Sequence, residues 1–201
     1  MRLAVFISGG GSNFKAIARA IAEHRLDADI ALVAANNPDA PGLDAARGLG
    51  YATDVFDRNA FPDGERFAEY VLNSLSNNGA DFISLAGYLR RIPPRVVKEY
   101  HGRIVNIHPA LLPRFGGKGM FGLHVHQAVI DSGVPESGVT IHYVDEVYDH
   151  GVIIAQRRVP VIPGDSPELL RDRVLVVEHQ LYPEVLQYLS QIVSSKADGE
   201  E

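Results

Sequence analysis

The chain has 201 residues, 46% hydrophobic and 22% charged, which fits one folded globular domain and excludes disordered and fibrous proteins. Its 19 basic and 25 acidic residues leave a net charge of −6, and this does not favour nucleic acid or an anionic membrane as a partner. The absence of cysteine excludes disulfides and thiolate chemistry, and no apolar run approaches the roughly 20 residues that span a bilayer. We therefore expect a cytoplasmic enzyme or binding domain.

The first half of the chain alternates strand-like and helix-like segments. Short apolar runs predict strands over residues 3–7, 30–35, 51–55 and 82–86. Apolar residues at helical spacing predict helices between them, around residues 14–21, 43–49 and 67–75. This rhythm predicts an α/β fold: a Rossmann-like, three-layer α/β/α arrangement whose mostly parallel central sheet has helices on both faces.

The second half is less regular. Strands are predicted over residues 103–108, 139–144 and 152–161, a helix over 124–131, and a long helix with an apolar face from Leu170 to Val185. Because no linker or repeat interrupts the chain, we expect one domain over residues 1–201. Its lobes would be a phosphate-binding lobe over about 1–100 and a catalytic lobe over about 101–193, followed by a frayed tail over 194–201.

A glycine loop follows the first strand. Gly9, Gly10 and Gly11 precede Ser12 and Asn13 at the start of a predicted helix. Glycine allows an anion to approach the exposed N–H groups and the positive end of the helix dipole, so the loop predicts a phosphate site. A simple tight turn with a Ser or Asn helix cap is the alternative. The pattern is neither a P-loop nor a dinucleotide fingerprint, and it suits a phosphate monoester better.

An Asn-x-His-Pro sequence ends the fifth predicted strand. The two-residue period of a strand places Asn106 and His108 on the same side, and Pro109 ends the strand. Asparagine can donate to a developing oxyanion, and histidine can move a proton near neutral pH. A carboxylate near His108 would favour its protonated form. The polar stretch 145–151 offers Asp145, Glu146 and Asp149, and the residues alone do not choose among them.

At this point the chain resembles the folate-dependent phosphoribosylglycinamide formyltransferases of purine biosynthesis over nearly its whole length. The resemblance rests on ISGGGSN, LAGYLR, NIHPALLP, GVTIHYV, DHG and EH, at residues 7–13, 85–90, 106–113, 138–144, 149–151 and 178–179. It implies direct transfer of a formyl group from 10-formyltetrahydrofolate, as cosubstrate, to the amine of phosphoribosylglycinamide. The amine would attack the formyl carbon, and neither a metal nor a covalent intermediate would be required.

The resemblance also implies roles for individual residues. Asn106 would contact the formyl group, His108 would act as general acid, and Asp149 would raise the pKa of His108. Substrate phosphate would bind at Gly11, Ser12 and Asn13, and Glu178 would hold the glycinamide end, although an exposed helix carboxylate is the simpler interpretation of Glu178 alone. The folate site would comprise Asn106 and the backbone of Leu89, Arg90, Arg91 and Ile92.

Three positions depart from the family pattern. Residues 61–64 read Phe-Pro-Asp-Gly where family members carry a ligand-contacting Arg, and Arg66 is the nearest substitute for the folate site. Arg91 replaces an aliphatic residue. The segment 116–122 is long and rich in glycine, which indicates either a mobile active-site flap or a tolerated surface insertion.

Four other functions compete with this interpretation. Methionyl-tRNA formyltransferase shares the Asn-x-His-Pro core but adds a nucleic-acid-binding domain, which the length and acidic charge disfavour. Formyltetrahydrofolate deformylase adds an N-terminal domain, for which a first strand at residue 3 leaves no room. A non-catalytic phosphate-binding module would have no use for Asn106, His108 and Asp149 together. A metal hydrolase using His124, His126 and His142 lacks a fitting acidic partner. The sequence indicates no oligomeric state.

Overall fold

The computed structural model describes residues 1–197. Its single sheet contains seven strands: β1 (Arg2–Ile7), β2 (Asp29–Ala35), β3 (Thr53–Val55), β4 (Phe82–Leu85), β5 (Ile104–His108), β6 (Glu136–Tyr143) and β7 (Ile153–Pro160). The helices are α1 (Ser12–Ala22), α2 (Pro41–Gly48), α3 (Gly64–Asn77), α4 (Pro94–Glu99), α5 (Leu123–Asp131) and α6 (Pro167–Ala197), with a short 3₁₀ turn at Arg58–Ala60.

The strands lie in the order β3-β2-β1-β4-β5-β6-β7. The neighbouring strands from β3 to β5 in this order pair in parallel. The last two pairs, β5 with β6 and β6 with β7, are antiparallel. The predicted mostly parallel α/β sheet is therefore confirmed. After β1 the chain moves outward to β2 and β3, then returns to the other side of β1 at β4. This reversal creates a switch point at the carboxyl end of β1, the place where open α/β sheets bind ligands.

Helices cover both faces of the sheet, as predicted. The alternation of side chains along β1 sends Leu3, Val5 and Ile7 into one core and Ala4 and Phe6 into the other. The first core is shared with α1, α2, α5 and α6, and the second with α3 and α4. Because each fully buried aliphatic or aromatic side chain contributes about 1.5–3 kcal/mol, these two layers anchor the strand ends that carry the polar site.

The structure extends several predicted elements. Helix α4, which begins at Pro94, has no counterpart among the predicted helices, and β6 begins at Glu136, three residues before the predicted start. Helix α6 continues to Ala197, so the predicted frayed tail starts within this helix, and residues 198–201 lie outside the described residues. Among residues 1–197, no helix is long and apolar enough to cross a membrane.

Candidate active site

A cavity of about 650 Å³ lies at the carboxyl ends of β1, β4 and β5, beside the switch point. Its walls come from the glycine loop, the loop after β4, the end of β5, the glycine-rich segment before α5, the loop between β6 and β7, and α6. The main lining segments are residues 8–13, 85–92, 106–109, 117–122 and 144–149, together with Glu178. Motifs that are far apart in the sequence therefore meet at one cavity.

The glycine loop turns directly into α1. Gly11 has φ of +66° and stands at the N-cap, and a Cβ there would approach the Cα of Gly42 to 3.3 Å. The alternative of a tight turn with a Ser or Asn cap is wrong, because no side chain caps α1 and Ser12 is already its first helical residue. The helical bonds begin with Lys15 N–H donating to Gly11 O at 2.9 Å. The N–H groups before Lys15 therefore have no carbonyl within the helix, and they suit an anion.

Asn13 and Glu178 meet inside the cavity wall. The Asn13 Nδ2 donates to Glu178 Oε2 at 2.7 Å, while the buried Asn13 Oδ1 has no protein partner. Glu178 is 7% exposed, so it is not the solvent-facing helix carboxylate that its sequence context alone suggests. Burial raises its pKa to about 6, although the hydrogen bond from Asn13 acts in the opposite direction. The pair presents a polar, weakly acidic surface next to the glycine loop.

The predicted pair on β5 faces two polar residues on β6. Asn106 pairs with His142 and His108 with Thr140 in the antiparallel ladder. The His108 Nε2 lies 2.8 Å from the carbonyl oxygen of Phe115, an acceptor, so this nitrogen carries a hydrogen. The neutral imidazole therefore has its lone pair on Nδ1, which leaves Nδ1 as the nitrogen that can gain a proton.

Asp149 supplies the carboxylate beside His108. Its Oδ2 lies 3.6 Å from His108 Nδ1 and accepts a hydrogen bond from the Gly117 N–H at 2.8 Å. The backbone of Asp149 is left-handed, with φ of +53°. Two residues later, a Cβ on Gly151 would come within 1.8 Å of the Tyr143 carbonyl oxygen, so the chain passes β6 too closely for any other residue. This tight loop brings Asp149, rather than Asp145 or Glu146, next to His108.

Burial and charge have opposite effects on the pKa values of His108 and Asp149. Burial lowers the pKa of His108 and outweighs the Asp149 charge, which acts to raise it. Burial alone would raise the pKa of Asp149, but His142, His108 and the Gly117 N–H together lower it. The charge of Asp149 thus acts to raise the pKa of His108, as expected. The effect of burial is larger, and the pKa of His108 stays below its usual value.

His142 also lines the cavity, although its sequence context alone suggested only a metal ligand. Its Nε2 lies 3.1 Å from Asn106 Nδ2 and 3.6 Å from Asp149 Oδ1, and its Nδ1 lies 2.8 Å from the Tyr143 carbonyl oxygen. Because Nδ1 donates to that carbonyl, neutral His142 accepts from the Asn106 amide. In the sequence, the two-residue spacing of Thr140 and His142 places both on one side of β6. This spacing indicates a site only when β6 is known to pair with β5.

The predicted folate segment, residues 89–92, forms a further wall. Leu89 is 50% exposed and Ile92 is buried, while the Leu89 N–H donates to Ser8 Oγ at 2.8 Å. The exposed Arg91 donates to the backbone carbonyl of Glu146 at 2.5 Å, so its charge lies in solvent at the edge of the cavity. Arg90 is also exposed and lines the cavity.

Arg66 is not brought to this site. It lies exposed in the first turn of α3, where its N–H donates to the capping side chain of Asp63 at 2.8 Å, and it does not line the cavity. In contrast, most of the glycine-rich segment does: residues 117–122 line the cavity, and the Gly117 N–H holds Asp149. This segment is therefore part of the site wall.

Two of the three histidines of the alternative metal site lie in different surroundings. His126 is buried in α5, where burial lowers its pKa to about 4, and His142 bonds Asn106. Within residues 1–197, no group of three or more His, Asp or Glu side chains is arranged to hold a metal ion.

The fold and the cavity define an open α/β protein in which a glycine loop at a helix N-terminus lies beside an Asn–His–Asp cluster. Residues 1–186 match the family model described as formyl transferase. The chain is 36% identical to the phosphoribosylglycinamide formyltransferase of Escherichia coli over 190 residues, which cover 94% of this chain and 87% of that protein. The chain therefore belongs to the formyl transferase family.

Other relatives carry the same name. The chloroplastic phosphoribosylglycinamide formyltransferase of Arabidopsis thaliana is 46% identical over 186 residues, and the match covers 92% of this chain but only 64% of that protein. The solved phosphoribosylglycinamide formyltransferase of Bacillus halodurans superposes with a TM-score of 0.88 at 38% identity, covering 94% of this chain and 95% of that one. A glycinamide ribonucleotide transformylase from Geobacillus kaustophilus superposes with a TM-score of 0.87 at 44% identity, covering 94% of this chain and 97% of that one.

Proposed function

We propose that this chain transfers the formyl group of 10-formyltetrahydrofolate to the amine of 5′-phosphoribosylglycinamide, in the purine pathway. The observation that carries the proposal is the meeting, in one cavity, of the N-terminus of α1 with the Asn106–His108–Asp149 cluster. A volume of about 650 Å³ is within the range of small-molecule sites. The relatives named phosphoribosylglycinamide formyltransferase support the same reaction.

In this proposal the two substrates occupy opposite walls. The substrate phosphate binds the free N–H groups around Gly11, Ser12 and Asn13, and Glu178 holds the glycinamide end. The folate lies against residues 89–92, whose backbone groups are largely without protein partners among the described residues. The formyl carbon then sits between the substrate amine and Asn106.

The reaction proceeds by direct attack of the amine on the formyl carbon. The carbonyl oxygen becomes an oxyanion, which the Asn106 amide and protonated His108 stabilise. The bond from carbon to the folate nitrogen then breaks, and this nitrogen takes up the proton that the amine loses, with His108 as the acid. Asp149 favours the protonated imidazole through its charge. The products are formylglycinamide ribonucleotide and tetrahydrofolate.

The deciding assay incubates purified protein with 10-formyltetrahydrofolate, with and without phosphoribosylglycinamide. Tetrahydrofolate formed only with the acceptor supports the proposal. Free formate released without the acceptor would support a deformylase-like hydrolase instead, and no turnover at all would favour a non-catalytic phosphate-binding module.

A variant tests the cluster itself. His108→Ala removes one oxyanion donor, and we expect turnover to fall roughly 100-fold, or ~3 kcal/mol, while ribonucleotide binding is retained. His101→Ala, an exposed histidine that does not line the cavity, serves as the matched control and keeps normal turnover. Equal turnover in both variants would contradict the role of His108. The cytoplasmic location stays a prediction.

A further inference from the structure

Ser8 stands at the carboxyl end of β1 and connects this strand end to the loop after β4 and to the end of β2. Its Oγ accepts a hydrogen bond from the Leu89 N–H at 2.8 Å and also contacts Asn36 Oδ1 at the end of β2. Ser8 is partly buried and lines the cavity between the glycine loop and the folate segment.

The direction of both hydrogen bonds follows from the donors. An N–H group only donates, so Ser8 Oγ is the acceptor toward Leu89. The single hydroxyl hydrogen is then free to point at Asn36 Oδ1, an oxygen that only accepts. Asn36 therefore orients the Ser8 hydroxyl, and the lone pair of Ser8 faces Leu89.

Residues 87–92, which include the folate segment, have few other hydrogen bonds to the described chain. Among the backbone N–H and C=O groups of residues 87–92, the Leu89 N–H is the one that bonds another part of the described chain. Tyr88 packs edge-on against Phe6 at 5.4 Å, and Ile92 is buried, but such apolar contacts do not set the direction of a peptide group. The Ser8 bond therefore determines where the free backbone groups of this segment point.

We propose that Ser8, oriented by Asn36, is a positioning residue that holds the backbone of residues 87–92 in the geometry that receives the folate ring. This inference rests on the proposed function, because it assumes that the cavity binds a folate. Ser8 itself makes no contact with the reacting atoms in this arrangement. Its loss affects folate binding and leaves the Asn106–His108–Asp149 cluster in place.

The test compares Ser8→Ala with Ser12→Ala, which changes a serine four residues further along the chain, at the start of α1. One net hydrogen bond corresponds to a change of about twofold to tenfold in affinity. We expect Ser8→Ala to raise the KM for 10-formyltetrahydrofolate by that factor, with the kcat and the KM for phosphoribosylglycinamide unchanged. The Ser12 hydroxyl makes no bond to residues 87–92, so Ser12→Ala should not raise the KM for 10-formyltetrahydrofolate. Calorimetric binding of tetrahydrofolate should weaken in Ser8→Ala by the same factor.

Asn36 provides a second, independent readout. Asn36→Ala should also weaken tetrahydrofolate binding, and the Ser8→Ala/Asn36→Ala double variant should bind no more weakly than Ser8→Ala alone. Independent, multiplying effects would overturn the coupling. Unchanged tetrahydrofolate binding in Ser8→Ala, or a raised KM for the ribonucleotide only, would overturn the positioning role while leaving the proposed function intact. Failure of the unmodified protein to bind tetrahydrofolate or to turn over would instead overturn the proposed function.

Discussion

The buried carboxyl of Glu178 makes a quantitative prediction about stability. Burial raises its pKa to about 6 from an ordinary value of 4.5, a change of about 6 − 4.5 = 1.5 units. At 1.36 kcal/mol per unit, ionised Glu178 costs the folded chain about 2 kcal/mol relative to the protonated form. Replacing it by Gln removes the charge and keeps an oxygen that can accept from Asn13 Nδ2.

The sign follows from proton binding. A carboxyl whose pKa is raised by folding binds its proton more tightly in the folded chain than in the unfolded chain. The free energy of unfolding therefore falls as the pH rises from about 4.5 to 6, and the loss is complete above that range. We expect Glu178→Gln to be more stable than the parent by about 2 kcal/mol at pH 8 and by about 1 kcal/mol at pH 5.

Urea unfolding at pH 5 and pH 8 measures both differences. Glu184→Gln is the matched control: Glu184 lies on the same helix, is 55% exposed and pairs with Arg157 at the surface, where an ion pair contributes about 0–1 kcal/mol. A Glu178→Gln chain that is no more stable than the parent at pH 8, or whose advantage does not grow between pH 5 and pH 8, would refute the reasoning.

Three further predictions follow from single contacts. Asp149→Asn removes the charge that opposes burial, so the pKa of His108 should fall further; an NMR titration that gives an unchanged or higher value would contradict this. Tyr182→Phe removes the hydroxyl that accepts from Ser84 and donates to the carbonyls of β4 and β5. The free energy of unfolding should therefore drop by about 1–3 kcal/mol. No loss in urea unfolding would show that these hydrogen bonds contribute nothing to stability. Gly151→Ala should destabilise the fold by about 1–3 kcal/mol in the same measurement, whereas Gly48→Ala, whose Cβ would meet open space, should not; equal stability of the two variants would argue against the close passage of the loop.

The parallel half of the fold could be predicted because its signals are local. Most of its strands are short apolar runs, and every connection except the one from α1 to β2 contains glycine, proline or asparagine. Helix α4 was missed because its six residues are too few for a helical period to be recognised. Only the alternative of a Ser or Asn cap fails at the first turn of α1: the left-handed Gly11 occupies the N-cap, and Ser12 and Asn13 line the cavity.

The candidate site likewise has residues that follow from the local sequence and residues that only the tertiary structure brings in. Asn106 and His108 follow from the two-residue period of one strand, so their common side is a local property. His142 faces Asn106 only through the antiparallel pairing of β5 with β6, a contact 36 residues apart in the chain. Glu178 meets Asn13 across 165 residues, and its burial, which reverses the simplest interpretation of an isolated helix carboxylate, depends on the packing of α6 against α1.

By itself, the sequence determined the α/β class, the glycine loop at the first helix and the polar pair at the end of β5, since each depends on neighbouring residues and their period. Only the tertiary structure decided the strand order, the position of Asp149 against His108 and the raised pKa of Glu178. Strand pairing, burial and the approach of two loops are set by residues distant in the chain, and no local pattern encodes the distance between them. The acidic net charge of −6 likewise disfavours nucleic acid and anionic membranes, but it does not locate the predicted phosphate site, which depends on backbone N–H groups at the start of α1.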